Sequence, residues 1–230
     1  MRLQTLAAAC ALAVCSTAAS ATVVALAPGV LTPPAPNTYA TFNSIVPTPY
    51  GLTTPTGTFV DAGATFSGGG IVMNNFGQPA IGLYATPLHD DTNYMAVLGG
   101  KSETIAFGSP ISEFGLYWGS IDTFNTVKLY NGATLVGTVT GSQVAGLLPP
   151  PPLNPNGGQL LDNSNRYILM SGFGFFDKAV ISSTANSFEF DNVVTGVPEA
   201  STWVMMGLGF GGLAFAGFSA KRKREARAIV

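Results

Sequence analysis

ISEFGLYWGSIDTFNTVKLYNGATLVGTVT, residues 111–140, is the stretch that decides the fold class. Three of its runs, 111–119, 125–130 and 133–140, are rich in Val, Ile, Leu, Phe, Tyr and Thr, the residues that suit a pleated, half-buried surface. Asn131-Gly132 stands between two of them, and Asn-Gly accepts the positive φ angles of a tight hairpin turn. No amphipathic helical period of useful length runs through the chain. Phe114, Leu116 and Trp118 alternate onto one face of their strand and Tyr117 falls on the other.

Outward from this stretch the same texture continues. Short β-prone runs at 38–45, 57–66, 70–73, 94–98, 102–107, 166–171, 178–183 and 187–195 are split by Gly, Pro, Asn and Asp. Ser187-Phe188-Glu189-Phe190-Asp191 alternates polar with aromatic, which predicts one wet and one buried face. About eleven short strands predict an all-β domain, a β-sandwich or jelly roll. Two polar insertions interrupt it. Pro149 to Pro152 open a loop that runs through Gly158, and a second loop, 79–93, ends in Leu88-His89-Asp90-Asp91-Thr92-Asn93. Residues 22–37 read as a Pro-rich, loose lead-in.

Composition narrows the class. Of 230 residues only 10% are charged, against about 25% in an ordinary soluble domain, and the formal net charge is −2. Neither figure suits a nucleic-acid binder. The charges are also segregated. Residues 22–197 hold ten acidic side chains and four basic ones, whereas Arg2, Lys221, Arg222, Lys223, Arg224 and Arg227 sit at the ends. Such asymmetry points to membrane topology.

The N-terminus reads as a secretory signal, 1–21. Met1-Arg2 is a positive start, an Ala-rich apolar stretch too short to span a bilayer follows, and Ala19-Ser20-Ala21 is a small-x-small site for signal peptidase. Cys10 and Cys15 both lie inside it. The processed chain therefore holds no disulfide, no thiolate metal site and no cysteine nucleophile. At the other end, 203–220 is 18 residues without a charge, about 27 Å as a helix, enough for a single transmembrane helix. Trp203 sits at an interfacial anchor position, Gly207 and Gly211 have the spacing for close helix approach, and Lys221-Arg222-Lys223-Arg224 would stay on the cytoplasmic side. Residues 22 to about 200 would then lie outside.

Val197-Pro198-Glu199-Ala200 precedes the span. A Pro-Glu motif, a Gly-rich apolar span and a basic cluster, in that order, resemble the PEP-CTERM sorting signal of Gram-negative bacteria. Pro198 and Glu199 match, and Ala200 departs from the usual second proline. The run Phe114-Gly115-Leu116-Tyr117-Trp118-Gly119-Ser120 is also similar to stretches in exosortase-dependent surface proteins. The resemblance implies export through the Sec translocon, transient residence in the inner membrane, and cleavage near Val197, Pro198 and Glu199 by exosortase, a membrane peptidase. The product would go to the cell surface or an exopolysaccharide or biofilm matrix. The expected organisation is a signal peptide (1–21), the lead-in (22–37), the β domain (38–196) and the sorting signal (197–230).

Residues for chemistry are few. His89 is the single histidine and stands in a polar loop without a nucleophile motif. Asp90, Asp91 and Asp191 are candidate oxygen ligands for calcium, although no EF-hand spacing is present. Glu113 and Glu189 are the candidate carboxylates of a glycosidase pair, and their separation decides that reading. Tyr117 and Trp118, if exposed, would stack on sugar rings as a carbohydrate platform; buried, they are core. The expectation is a non-enzymatic surface protein, with a carbohydrate-binding module as the alternative and a secreted hydrolase third.

Overall fold

Two Gly-containing breaks in the sequence, at 108–110 and 172–174, fall inside strands and not at their ends. The computed structural model describes residues 20–32, 38–74, 82–148, 157–195 and 208. Its elements are β1 (Thr22–Ala25), β2 (Tyr39–Ala40), β3 (Phe59–Asp61), β4 (Ala64–Gly68), β5 (Gly70–Met73), β6 (Tyr94–Val97), β7 (Lys101–Gly119), β8 (Asn125–Asn131), β9 (Thr134–Thr140), α1 (Gly141–Ala145), β10 (Arg166–Ser183), β11 (Phe188–Asp191) and β12 (Val193–Val194). The chain is all-β, built on one large antiparallel sheet.

β7 and β10 pair along nearly their whole lengths and carry everything else. The predicted runs 102–107 and 111–119 are one strand, as are 166–171 and 178–183. Gly108-Ser109-Pro110 in β7 lies at one of two register slips in the ladder with β10, between the pairs Ala106–Lys178 and Ile111–Phe176; the second slip falls between Ser171 and Phe176. Gly172 (φ 75°) and Gly174 (φ 80°) take the positive φ that the irregular stretch of β10 needs. The break divides the sheet into two halves. In one, the first part of β7 and the last part of β10 pair with β4 and β8, and β3 and β9 complete the edges. In the other, the last part of β7 and the first part of β10 pair with β11 and β1, and β6 and β5 follow β11.

Side chains from both halves meet in one apolar core. Ile105, Phe107, Val127 and Ile181 from the first half join Phe114, Leu116, Trp118, Ile168 and Phe190 from the second. Phe107 packs edge-on against Phe114 at 5.8 Å across the bend, and Trp118 stacks on Phe188 at 4.2 Å. The other face of the second half is covered as well. Tyr117, Tyr167 and Val194 form a buried cluster against Leu26, Leu31 and Tyr39, and Ile71, Tyr84, Tyr94 and Ala96 form another.

Several expectations change. Thr22–Ala25, read as loose lead-in, is a strand on β10. The run 38–45 is strand only at β2, and 187–195 divides at Asn192 (φ 50°) into β11 and β12, the latter pairing with β2. The β8–β9 hairpin turns one residue later than Asn131-Gly132. Asn131 pairs with Thr134, so Gly132 (φ 58°) and Ala133 form the loop. β11 has no wet face; all four of its residues are buried. α1 is short, fixed by a capping box in which Thr140 N donates to Gln143 Oε1 at 2.8 Å. Among the described residues no helix is long and apolar enough to cross a membrane. The predicted sorting motif (197–200), the span apart from Leu208, the basic tail and Ala19 lie outside the described residues.

Candidate functional site

Asn165, one residue before β10, organises one end of the second half. Its Oδ1 accepts from Leu88 N and Ser120 N, both at 3.0 Å. Its Nδ2 donates to Leu161 O at 3.0 Å and Gly158 O at 3.1 Å, with a longer contact to Gln159 O. One buried amide thereby ties together three segments: the 82–90 loop, the turn that ends β7, and the 157–161 loop. An amide can do this because it offers donors and an acceptor at one point.

The turn after β7 is sharp. Ser120 adopts φ 41°, and Ile121 N then donates to Ser164 O at 2.7 Å. This brings Asp122 under the 157–161 loop and beside the start of β11, where Glu189 pairs with Gly119. A recess of about 500 Å³ results, lined by Tyr84, Ser120, Asp122, Gly157, Ser187 and Glu189 among others. Asp122 and Glu189 are each only 3% exposed. Glu189 Oε1 accepts from Ala85 N at 2.8 Å and from the Ser187 hydroxyl. Glu189 Oε2 and Asp122 Oδ1 have no hydrogen-bond partner among the described residues. Burial pushes the Glu189 carboxyl up to about 7. Burial, with the Glu189 charge nearby, pushes Asp122 up to about 8. Gly157 (φ 66°) completes the wall; a Cβ there would stand 2.7 Å from Ser120 O and 2.8 Å from Asp122 Oδ1. The corner is made of oxygen acceptors, so it suits a cation or a strong hydrogen-bond donor.

Tyr117 and Trp118 are both fully buried, so they form no carbohydrate platform. Trp118 fills the core, and the Tyr117 hydroxyl donates to Leu88 O at 2.5 Å beneath the 82–93 loop. That loop, expected to be simply polar, roofs the sheet. Glu113 and Glu189 do not pair. Glu113 is exposed, and it lies six residues along β7 from Gly119, the partner of Glu189, a separation of about 20 Å at about 3.3 Å per residue. The carboxyl that shares a recess with Glu189 is Asp122, in sequence one of ten acidic residues between 22 and 197. Its position directly after the aromatic run was the available signal.

Of the calcium candidates, the structure joins two. Thr92 Oγ1 donates to Asp90 Oδ1 at 2.7 Å and lies 3.2 Å from Asp191 Oδ2, and Asp90 and Asp191 hydrogen-bond each other. Burial and the adjacent Asp90 push Asp191 up to about 9. Asp91 is exposed and stays apart. Among the described residues no group of three His, Cys, Asp or Glu side chains gathers for a metal. His89, 47% exposed at its side chain, meets Asp162 Oδ1 at 2.6 Å, and no serine hydroxyl bonds to it among the described residues. Ala21, the last residue of the predicted leader, is exposed just before β1.

No family model matches the chain, and no curated protein matches its sequence.

Proposed function

We propose that the chain is an exported, non-enzymatic surface or extracellular-matrix protein, sorted and cleaved by an exosortase through its C-terminal signal. The observation that carries this reading is the order Pro198-Glu199, an 18-residue uncharged span at 203–220, and Lys221-Arg222-Lys223-Arg224. Signal peptidase would remove 1–21, and exosortase would cut near Val197-Pro198-Glu199. The strand boundaries are compatible with both cuts: β1 starts at Thr22 and β12 ends at Val194. Both cuts leave every rung among the described strands in place. We read the domain between the cuts as a two-layer β-sandwich, folded where β7 and β10 break register. The core shared by the two halves supports that reading. The carbohydrate-binding alternative loses its Tyr117–Trp118 platform to burial.

Mass spectrometry of the protein from a Gram-negative host with and without its exosortase tests the proposal. A surface form lacking 203–230 is expected in the first, and a membrane-retained precursor in the second. A surface form that still carries 203–230, or equal surface levels in both hosts, would refute it.

A further inference from the structure

The geometry points to a binding site for a hard divalent cation, of the calcium class, held by the carboxylates of Asp122 and Glu189 and the carbonyl oxygen of Ser120. Two unpartnered carboxylate oxygens face one recess from side chains that are 3% exposed. An unpaired buried acceptor is costly, and a cation removes that cost at both positions together. Among the described residues no Lys, Arg or His forms an ion pair with either carboxylate; their ion pair is His89–Asp162, at the surface.

The walls fit an oxygen-seeking ion. Ser120 holds a left-handed backbone, and its carbonyl oxygen and Asp122 Oδ1 flank the Cβ position that Gly157 leaves empty. That empty corner is edged by two oxygens that a side chain at 157 would crowd out. Calcium takes carboxylates, backbone carbonyls and water together in a flexible shell, whereas magnesium requires a tighter octahedron. A recess of about 500 Å³ leaves room for water in the remaining positions. With two carboxylates and one carbonyl, fewer ligands than a dedicated calcium loop supplies, the affinity belongs to the weak class of extracellular modules, about 10⁻⁴–10⁻³ M.

Calcium chloride is titrated into the full chain in non-ionic detergent after chelation, and thermal unfolding is followed. The midpoint is expected to rise and saturate, by about 5–10 °C at about a hundredfold excess over Kd. Sodium chloride at matched ionic strength is expected to leave it unmoved. Asp122→Asn and Glu189→Gln are expected to abolish the shift. Terbium luminescence sensitised through Tyr84 gives a second readout on the wild-type chain, and calcium should displace it. An equal rise with sodium chloride, or terbium emission that calcium does not displace, overturns the site. So does a calcium shift that survives both substitutions, including one lost only in Asp191→Asn, which would put the ion at the Asp90–Asp191 pair.

Discussion

Replacing Asn165 by alanine should cost far more than its single amide suggests. Four hydrogen bonds of 3.0–3.1 Å are lost, all to backbone groups: Leu88 N, Ser120 N, Gly158 O and Leu161 O. Each is worth about 1 kcal/mol net, and donors left buried without a partner cost about 1–3 kcal/mol. Water entering from the neighbouring recess offsets part of this. The expected loss is therefore about 4 kcal/mol, which in a chain of this size lowers the midpoint by about 8–16 °C. Urea unfolding of the Asn165→Ala chain measures it, and hydrogen exchange locates it. Exchange should accelerate at Leu88, Ser120 and the 157–164 segment, and not at Val127 or Leu129 in the other half. Asn165→Asp sharpens the test. It keeps the acceptor for Leu88 N and Ser120 N but turns an oxygen toward three carbonyls. It should destabilise at neutral pH at least as strongly as alanine, and recover in acid as the carboxyl gains a proton and donates again. A loss below about 1 kcal/mol for Asn165→Ala, or exchange that quickens evenly across both halves, would refute the clamp.

Stability should fall as pH rises in chelated solution, because the folded chain holds protons that the unfolded chain releases. Burial pushes Glu103 up to about 7 and, with Asp90 adjacent, Asp191 up to about 9, from ordinary values near 4. Their contribution is complete below about pH 4 and is lost progressively through about pH 7 and pH 9 respectively, at about 1.4 kcal/mol per pH unit for each group. A midpoint that is flat or climbs between about pH 5 and pH 9 contradicts this. Trp118→Ala should cost about 3–5 kcal/mol in urea unfolding, by cavity formation beside Phe188, whereas Tyr117→Phe should cost about 1 kcal/mol for its bond to Leu88 O. Near-equal losses would show that Trp118 is not a core residue. Gly141→Ala drives a methyl group into the backbone carbonyl of Asp122 and should destabilise by about 3 kcal/mol in the same assay; a neutral result would refute that contact. Incubation of the chain with exopolysaccharide should release no reducing sugar, and release that depends on Asp122 and Glu189 would restore the hydrolase reading.

The strands were legible because their signal is local. Residues 70–73, 94–97 and 125–131 stand almost as composition and turn chemistry place them. What the sequence hides is continuity and cover. Gly108-Ser109-Pro110 has the composition of a loop, yet the pairing of β7 with β10 on both sides carries the strand through it. Tyr117, Glu189 and Asp191 sit on a face that alternation marks as wet. The 82–93 loop and the β2–β12 pair roof that face through contacts distant in sequence, such as Tyr117 to Leu88, 29 residues apart, and Glu189 to Ala85, 104 residues apart, for which no local pattern exists. Asp122 becomes notable only once Gly157 and Glu189 are folded against it. Glu189 shares its recess with Asp122 and not with Glu113, because strand register and not residue type sets which acids meet.

The pairing of Thr22–Ala25 with Ile168–Ser171 has a consequence for the order in which the fold can close. In a chain threaded amino end first across a membrane, β1 is the first strand to emerge, and its partner follows only after more than 140 further residues. β7 also emerges long before most of β10. Early segments can collect local hairpins such as β3–β4 and β8–β9, but the two long strands that unite the halves cannot lock until residue 183 has crossed. If the chain crosses a membrane as proposed, folding is deferred to the end of passage, and the unfinished sheet keeps the thread loose until the last rung is available.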